Sequence, residues 1–439
     1  MQTKINNIPF SLIVSYLVFL FFAIGPFIGF ITRTFFDIFY NYVMILFCLV
    51  AVFLIYLNNL KINIPKYLGW FIAFTMYTIL SDIFIVDINL DFQYFYSHRL
   101  LGTVLVLLII ENVIITRQFF RTLFITNHIV LFIAFVVIII QQFGNRMFFV
   151  DPIFHDVLTS REYSNTRFPS IYSWIGSAGI MGLCFFPVLG LQISHHLKNN
   201  FKGVFYLFLI GAVVSFISKS RFIMLNYLFL LFLIPIYKGF NFKVFLKYTI
   251  IIILFAFSAY QGSKMIGLDT DRIIRERILE QNRGGMIEGS AGTRILAFKV
   301  FKKLYFKNPI IGKGQFHRSV KTSTDTELLQ ELHGRSSQIH VGYLSLFYFY
   351  GLIGGVIYLI FLYHISKHTY AIGISTKYWG PFFAIMQFLL TNLTGVYFHM
   401  FIIGLVLSMV YYKYYERIGN ESEESELPAL GFRVPDIKS

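Results

Sequence analysis

Charged side chains are scarce in this chain: Asp, Glu, Lys and Arg make up 13% of its 439 residues, while hydrophobic residues make up 56%. That is too little polar surface to cover a soluble globule of this size, which excludes that class. Continuous apolar runs, without the alternation of barrel strands, recur along the chain. Because about 20 apolar residues cross a bilayer as a helix, the sequence predicts an all-α polytopic integral membrane protein.

Cysteine is also scarce, with Cys48 and Cys184 the only two. Both lie inside predicted spans, so they cannot build a disulfide framework or a thiol-rich metal site. A pair of aspartates suited to a metal is missing from the external side as well. Asp269 and Asp271 have the spacing, but the sequence DTDRIIRER favours a helix cap whose acids pair with nearby arginines. We therefore expect no metal site.

The apolar runs divide the chain into membrane and loop segments. We predict about twelve transmembrane helices, near residues 8–31, 38–58, 67–88, 99–115, 121–143, 169–194, 203–217, 222–238, 242–260, 342–364, 373–391 and 396–413. The resulting units are transmembrane helices 1–9 in residues 1–260 with an external loop at 144–168, a large external loop at 261–341, helices 10–12 in residues 342–413, and a disordered cytoplasmic tail at 414–439.

Basic residues indicate which side of the membrane each loop faces. With a cytoplasmic N-terminus, the internal segments carry Lys61 and Lys66, Arg117 and Arg121, Lys198 and Lys202, Lys238 and Lys243, Lys367 and Lys377, and Lys413 and Arg417. This is the positive-inside pattern, and it places both termini in the cytoplasm. It also accounts for a formal charge of +15 without a nucleic-acid partner.

Two cations fall on the side that this rule disfavours. In the stretch SFISKSRFIML, Lys219 and Arg221 occupy a short external turn between two apolar runs. Their side chains could extend to lipid headgroups along their apolar stems. Alternatively they hold an anion at the outer surface, since charges at this depth are costly unless something pairs with them.

The large external loop is also basic, with fourteen Lys and Arg against eight Asp and Glu between Lys264 and Arg335. Its segment GTRILAFKVFKKLYFK has the period of an amphipathic helix that lies on the membrane surface or against the bundle. The two predicted faces carry Lys299, Lys302, Lys303 and Lys307 on one side and Phe298, Phe301, Leu304 and Tyr305 on the other. Arg294 projects to the apolar side, where a charge needs a partner.

The end of this loop and the next span contain a second group of special residues. In NPIIGKGQ, Gly312 and Gly314 permit a tight turn or a close backbone approach. His340 stands at the external mouth of the span that follows, where a neutral imidazole can take a proton from a hydroxyl. Gly351 and Gly355 have the small-xxx-small spacing of close helix packing.

Taken in order, these segments resemble the O-antigen polymerase and O-antigen ligase family of bacterial envelope glycosyltransferases. The resemblance covers residues from about 160 to 365 and rests on the turn SKSRF, the segment GTRILAFKVFKKLYFKNPIIGKG, and His340 followed by glycines at 351 and 354. A weaker match is RFPSIYSWIGSAG, in which Arg167 precedes a span. Two departures are Val341, where ligases of the family carry an amide or serine, and one extra residue after Arg167 before the glycine.

The resemblance implies a GT-C-like membrane glycosyltransferase of the bacterial inner membrane with its active site on the periplasmic side. It would transfer a glycan from undecaprenyl pyrophosphate to an acceptor hydroxyl without a metal or other cofactor. His340 would be the base, Arg221 and Arg294 would stabilise the leaving pyrophosphate, and the substrate-binding residues would be Lys219, Arg167, Gly312, Gly314 and Gly351. Planar guanidinium groups suit phosphate oxygens. The implied partners are lipid-linked oligosaccharides, membrane lipids, a chain-length regulator and a flippase.

Three functions remain open at the level of sequence. A polymerase joins lipid-linked repeat units into O-antigen or capsular polysaccharide, and Val341 favours this reading. A ligase transfers the finished chain to the lipid A core. A flippase or other transporter is the reading without catalysis, which predicts two similar halves and ionisable residues near the midplane.

Overall fold

The computed structural model describes residues 11–20, 37–59, 61–85, 97–145, 147–150, 242–265, 290–314, 331, 339, 341–376, 378–393, 405–406 and 408–414. Across these ranges the regular structure is helical, without strands, which confirms the all-α class for this part of the chain. The helices with defined bounds are α1 Asp37–Asn59, α2 Lys66–Ile85, α3 Ser97–Asn112, α4 Arg117–Phe143, α5 Phe242–Met265, α6 Ser290–Tyr305, α7 Gly342–Thr376 and α8 Gly380–Thr391.

The first five helices coincide with predicted apolar spans to within a few residues. The prediction is wrong near the C-terminal end, where α7 continues to Thr376 through the supposed cytoplasmic loop that carries Lys367. No proline interrupts this stretch, because the first one after Gly351 is Pro381. Pro381 instead stands in the first turn of α8, where its missing N–H costs nothing, so α8 begins later than the predicted span.

One of the described helices, α7, is both long enough and apolar enough to cross a membrane. Shorter apolar helical stretches of 10–17 residues lie at Ser11–Leu20, Ile45–Asn58, Leu100–Asn112, Phe132–Phe143 and Gly380–Leu390. The twelve spans of the sequence analysis therefore stay a prediction.

Helix α7 is the centre of the described bundle and packs against α2, α6 and α8, while α3 packs against α1 and α2. Aromatic rings join α2 to α7: Phe71 stacks on Phe361 at 4.4 Å, and Phe74 lies 4.6 Å from Tyr358 and 5.4 Å from Tyr350 between ring centroids. Buried aromatic pairs of this kind contribute about 0.5–1.5 kcal/mol beyond the area they bury. The α2–α7 pair is thus the rigid frame on which the candidate site is built.

Candidate functional site

Helix α7 is interrupted at Gly351, whose backbone angles of φ 63 and ψ −167 lie outside any helix. We call this interruption the Gly351 break. It removes the helical acceptors of the N–H groups that follow. Leu352 N–H donates instead to the Pro309 carbonyl at 2.8 Å, and Ile353 N–H to the Ile310 carbonyl at 3.2 Å. A segment of the large loop therefore supplies the hydrogen bonds that the helix lacks.

The same segment also donates hydrogen bonds to helix carbonyl groups on the N-terminal side of the break. Lys313 N–H donates to the Tyr348 carbonyl at 3.3 Å, and Gly314 N–H donates to the Phe349 carbonyl at 2.8 Å. We call residues 308–314 the glycine turn. Four main-chain hydrogen bonds thus join the glycine turn to the Gly351 break, two on each side.

Three glycines make this contact possible. Gly312, Gly314 and Gly351 all have positive φ, at 85, 71 and 63 degrees. A Cβ on Gly312 would overlap the Phe349 carbonyl, and one on Gly351 would overlap the Ile310 carbonyl. The predicted close backbone approach at the turn is confirmed. The small-xxx-small reading of Gly351 is wrong, because this glycine breaks its helix.

A tyrosine of α2 locks the two segments together. The Tyr77 hydroxyl lies 2.8 Å from the Ile311 carbonyl of the glycine turn and 3.0 Å from the Tyr350 carbonyl at the break. A Cβ on Gly354 would come within 2.6 Å of the Tyr77 ring, so the absence of a side chain at this glycine leaves room for the tyrosine. Sequence reasoning missed Tyr77, since nothing distinguishes it among 28 tyrosines.

Helix α6 carries Arg294 and packs against α7. Its residues Ala297, Val300 and Leu304 are buried. The Arg294 side chain is half-buried, and its Nε atom is fully enclosed. At about 100° per residue, Arg294 lies about 40° from the exposed Phe298 and about 80° from the buried Leu304, so it stands at the edge of the packed face. A guanidinium held there has a restricted direction, which suits a group that must meet a ligand in one orientation.

One residue of the predicted apolar face lies elsewhere. Phe298 is 56% exposed, whereas Leu304 from the same predicted face is fully buried. The reason is angular: at about 100° per residue, Phe298 lies roughly 120° around the helix from Leu304. The packed face is therefore narrower than the sequence pattern suggested.

The neighbours of His340 are anchored on both sides. Ile339 is fully buried and its carbonyl accepts a hydrogen bond from the Ser345 hydroxyl at 2.6 Å. Gly342 N–H donates to the Asn392 carbonyl at 2.8 Å, which ties the start of α7 to the end of α8. His340 itself lies outside the described residues.

The sequence-predicted site is described in part. The structure joins Gly312, Gly314 and Gly351 through the glycine turn and the Gly351 break. Helix α6 packs against the same helix α7, and Arg294 lies about 16 Å of helix before its end at Tyr305. The other predicted residues lie outside the described ranges, namely His340, Arg221, Lys219 and Arg167, as do Cys184, Asp269 and Asp271. Substrate-binding and catalytic roles stay predictions for all of them.

A second polar cluster lies toward the other end of α7. The Glu111 carboxylate accepts a hydrogen bond from Tyr67 at 2.6 Å and lies 3.3 Å from Lys413 and 3.9 Å from His368. The Tyr67 and His368 rings stack at 4.9 Å. Glu111 of α3 therefore links this helix to α2 through Tyr67 and lies close to α7 at His368. The 17 residues from Gly351 to His368 correspond to about 25 Å of helix, so this cluster and the Gly351 break are separate sites.

No protein-family model matches the chain, and no curated protein is significantly similar to it in sequence. The family resemblance therefore stays an expectation, carried by the motifs and by their arrangement.

Proposed function

We propose that this chain is a membrane glycosyltransferase that joins undecaprenyl-pyrophosphate-linked oligosaccharide repeat units into O-antigen or capsular polysaccharide. Its site would lie at the periplasmic face of the bacterial inner membrane, in a bundle of about twelve transmembrane helices. Transfer to a lipid A core by a ligase is the alternative with the same donor and a different acceptor.

The apolar side chains that the helices expose support a location in the membrane. Large apolar side chains are exposed on several of them, among them Phe53, Phe84, Phe132, Leu254 and Tyr363, each at least 59% exposed. Soluble proteins rarely expose apolar surface on this scale, whereas lipid tails cover it without cost. The exposed sides therefore suit contact with hydrocarbon.

The observation that carries the proposal is the seating of the glycine turn in the Gly351 break. Two of the segments on which the family resemblance rests are 37 residues apart in sequence, from Gly314 to Gly351, yet they bond main chain to main chain. Helix α6 with Arg294 leads directly into that turn. Segments that share one function should be held together in this way, and chance matches to loose motifs need not be.

The chemistry follows from the residue types. An acceptor sugar hydroxyl would attack the anomeric carbon of the donor, and the bond from that carbon to the pyrophosphate oxygen would break. The hydroxyl proton would pass to His340, while Arg294 and Arg221 would stabilise the charge that grows on the leaving pyrophosphate. Lys219 and Arg167 would add positive charge around the phosphates.

The test is the glycan profile of a deletion strain complemented with variants of equal membrane expression. Arg294→Ala, His340→Ala and Arg221→Ala should each reduce polymer formation, by roughly 10²–10³-fold if one preorganised charge or base is lost. Arg117→Ala removes an exposed arginine at the start of α4 and serves as the matched control. It should leave the profile unchanged.

The outcomes separate the three functions. Single repeat units on the surface lipid of the deletion strain support the polymerase. Long chains that stay on the lipid carrier, with none on the core, would identify a ligase instead. Repeat units trapped on the cytoplasmic side would identify a transporter. Well-expressed variants that all restore the wild-type profile would contradict the assigned site.

A further inference from the structure

Helix α6, which packs against α7, has two different faces, one covered and one exposed. The covered face contains Ala297, Val300 and Leu304, each at most 3% exposed. At about 100° per residue, the opposite direction is occupied by Ile295 and Lys302. Ile295 is 56% exposed, and Lys302 is exposed as well. The outward face is therefore also partly apolar, which a water-facing helix surface does not require.

Large apolar side chains are also exposed beyond the helix, at its end and in the glycine turn. Phe306 is 69% exposed, Ile310 59% and Ile311 51%, and Phe298 extends the surface on one flank of α6. We call Ile295, Phe298, Phe306, Ile310 and Ile311 the outer apolar strip. Scattered single hydrophobic residues on a surface are normal, but five large exposed ones within 17 residues of chain are a concentration that calls for a partner.

Lysines are interleaved with this strip. Lys299 and Lys302 lie on the outward face of α6 itself, and Lys307 follows at its end, all of them exposed. Lysine side chains can lie along an apolar surface with their stems and carry the ammonium to phosphate depth. Large apolar residues with a border of lysines match a layer whose interior is hydrocarbon and whose surface is anionic.

We propose that the outer apolar strip and its lysines form a binding surface for anionic phospholipid. Helix α6 then lies parallel to the membrane surface, with one face against α7 and the other against lipid headgroups. The inference rests on the membrane residence within the proposed function, and it does not depend on glycosyl transfer. It adds a consequence for that function: a helix fixed at headgroup depth holds Arg294 at the level where the phosphates of a lipid-linked donor lie.

Charge complementarity favours lipid over a protein partner. The described acidic residue beside α6 is Glu331, which pairs with Lys303 at 2.5 Å on one flank. Lys302 lies about 100° around the helix from Lys303, whereas Lys299 lies only about 40° from it, at the i, i+4 spacing. A protein partner would have to offer both an apolar ridge and several carboxylates, whereas an anionic leaflet presents both features everywhere along its surface.

The experiment measures the depth of α6 in lipid nanodiscs. In a Cys184→Ser background, Ile295→Cys carries an environment-sensitive fluorophore, and Cys48 stays unlabelled because it is fully buried. Lys303→Cys, beside Glu331, is the matched control position on the same helix. Quenching is compared for nitroxide-labelled phospholipid and for aqueous iodide, in phosphatidylglycerol-containing and in purely phosphatidylcholine discs.

We expect lipid nitroxide to quench the label at position 295 at least twofold more than the label at position 303, and iodide to show the opposite order. The double variant Lys299→Glu/Lys302→Glu should reduce lipid quenching at 295 in the anionic discs, with little change in the zwitterionic ones. A label at 295 that iodide reaches freely and lipid nitroxide does not would overturn the proposal. Equal quenching by lipid in both disc types, unaffected by the charge reversal, would refute the anionic specificity. Neither result would bear on catalysis, which the glycan profile tests separately.

Discussion

Replacing Gly351 by alanine tests the central feature of the site. At φ 63 and ψ −167, Gly351 occupies a region that residues with a Cβ essentially never adopt. The added Cβ would also overlap the carbonyl of Ile310, which belongs to the backbone of the glycine turn and cannot rotate away. The chain must therefore either hold a strained residue or move the turn out of the break.

The expected cost follows from these two effects. Backbone strain of this kind costs about 1–3 kcal/mol, and weakening the hydrogen bonds from Leu352 and Ile353 costs about 0.5–1.5 kcal/mol each, so the sum is about 4 kcal/mol. With an unfolding entropy of about 2.1 cal/mol/K per residue, cooperative unfolding of a chain this long would shift its midpoint by about 4 °C. The shift is larger if only the described bundle unfolds.

Cys48 provides the assay, because its thiol is completely buried in the bundle. In a Cys184→Ser background, a thiol-reactive dye should become fluorescent only when heating opens the helices around Cys48. Gly69→Ala is the control: Gly69 is an exposed glycine of α2, and a Cβ there meets no atom within 4 Å. That change should raise the midpoint slightly, since alanine in a helix is favoured over glycine by about 0.5–1 kcal/mol.

A Gly351→Ala protein with the same unfolding midpoint as wild type would refute the idea that Gly351 is required to seat the glycine turn in the Gly351 break. A large loss for Gly69→Ala would point to general sensitivity of the bundle instead, and would remove the specific meaning of the result. The informative outcome is a lower unfolding midpoint for Gly351→Ala together with a slightly higher midpoint for Gly69→Ala.

Three further predictions use the same assay. Gly312→Ala should lower the free energy of unfolding nearly as much as Gly351→Ala does. The double variant should lose clearly less than the sum of the two single losses, because either change alone displaces the same contact. Strict additivity would show that the two glycines act separately. Tyr77→Phe should cost about 1–2 kcal/mol by removing the donor to two main-chain carbonyls, and an unchanged midpoint would show that this hydroxyl locks nothing. Glu111→Gln should cost about 3 kcal/mol by separating a buried ion pair, and adding Lys413→Met should recover part of the loss; a further loss in the double variant would contradict the pairing.

The sequence predicted the helices well because apolar runs and helix lengths depend on neighbouring residues. Helices α1 to α5 begin and end close to the predicted apolar spans. The error at the end of α7 occurs where side-chain packing decides the outcome. Helix α7 continues through a predicted loop because its last turns pack under Trp379, whose ring would meet a Cβ on Gly373. Periodicity carries no information about such a contact.

The site shows the same limit. Gly312 and Gly314 could be recognised as turn residues from NPIIGKGQ alone. Their partner could not be recognised, since Gly351 looks like an ordinary packing glycine in an apolar helix. Tyr77 was equally hidden, because it acts through a hydroxyl that reaches segments more than 230 residues away.

A helix broken at this position would be unstable in hydrocarbon unless its main-chain groups found partners, because no water is present to satisfy them. The glycine turn supplies those partners, with two donors and two acceptors, and Tyr77 contributes one hydroxyl more. The turn therefore cannot leave without exposing polar groups on both sides of the break. Helix α6 ends at Tyr305, three residues before the turn, and packs against α7, so displacing the turn would move the C-terminal end of the helix that carries Arg294. Substitution of these glycines should therefore disturb activity through the placement of α6, even where no substrate touches them.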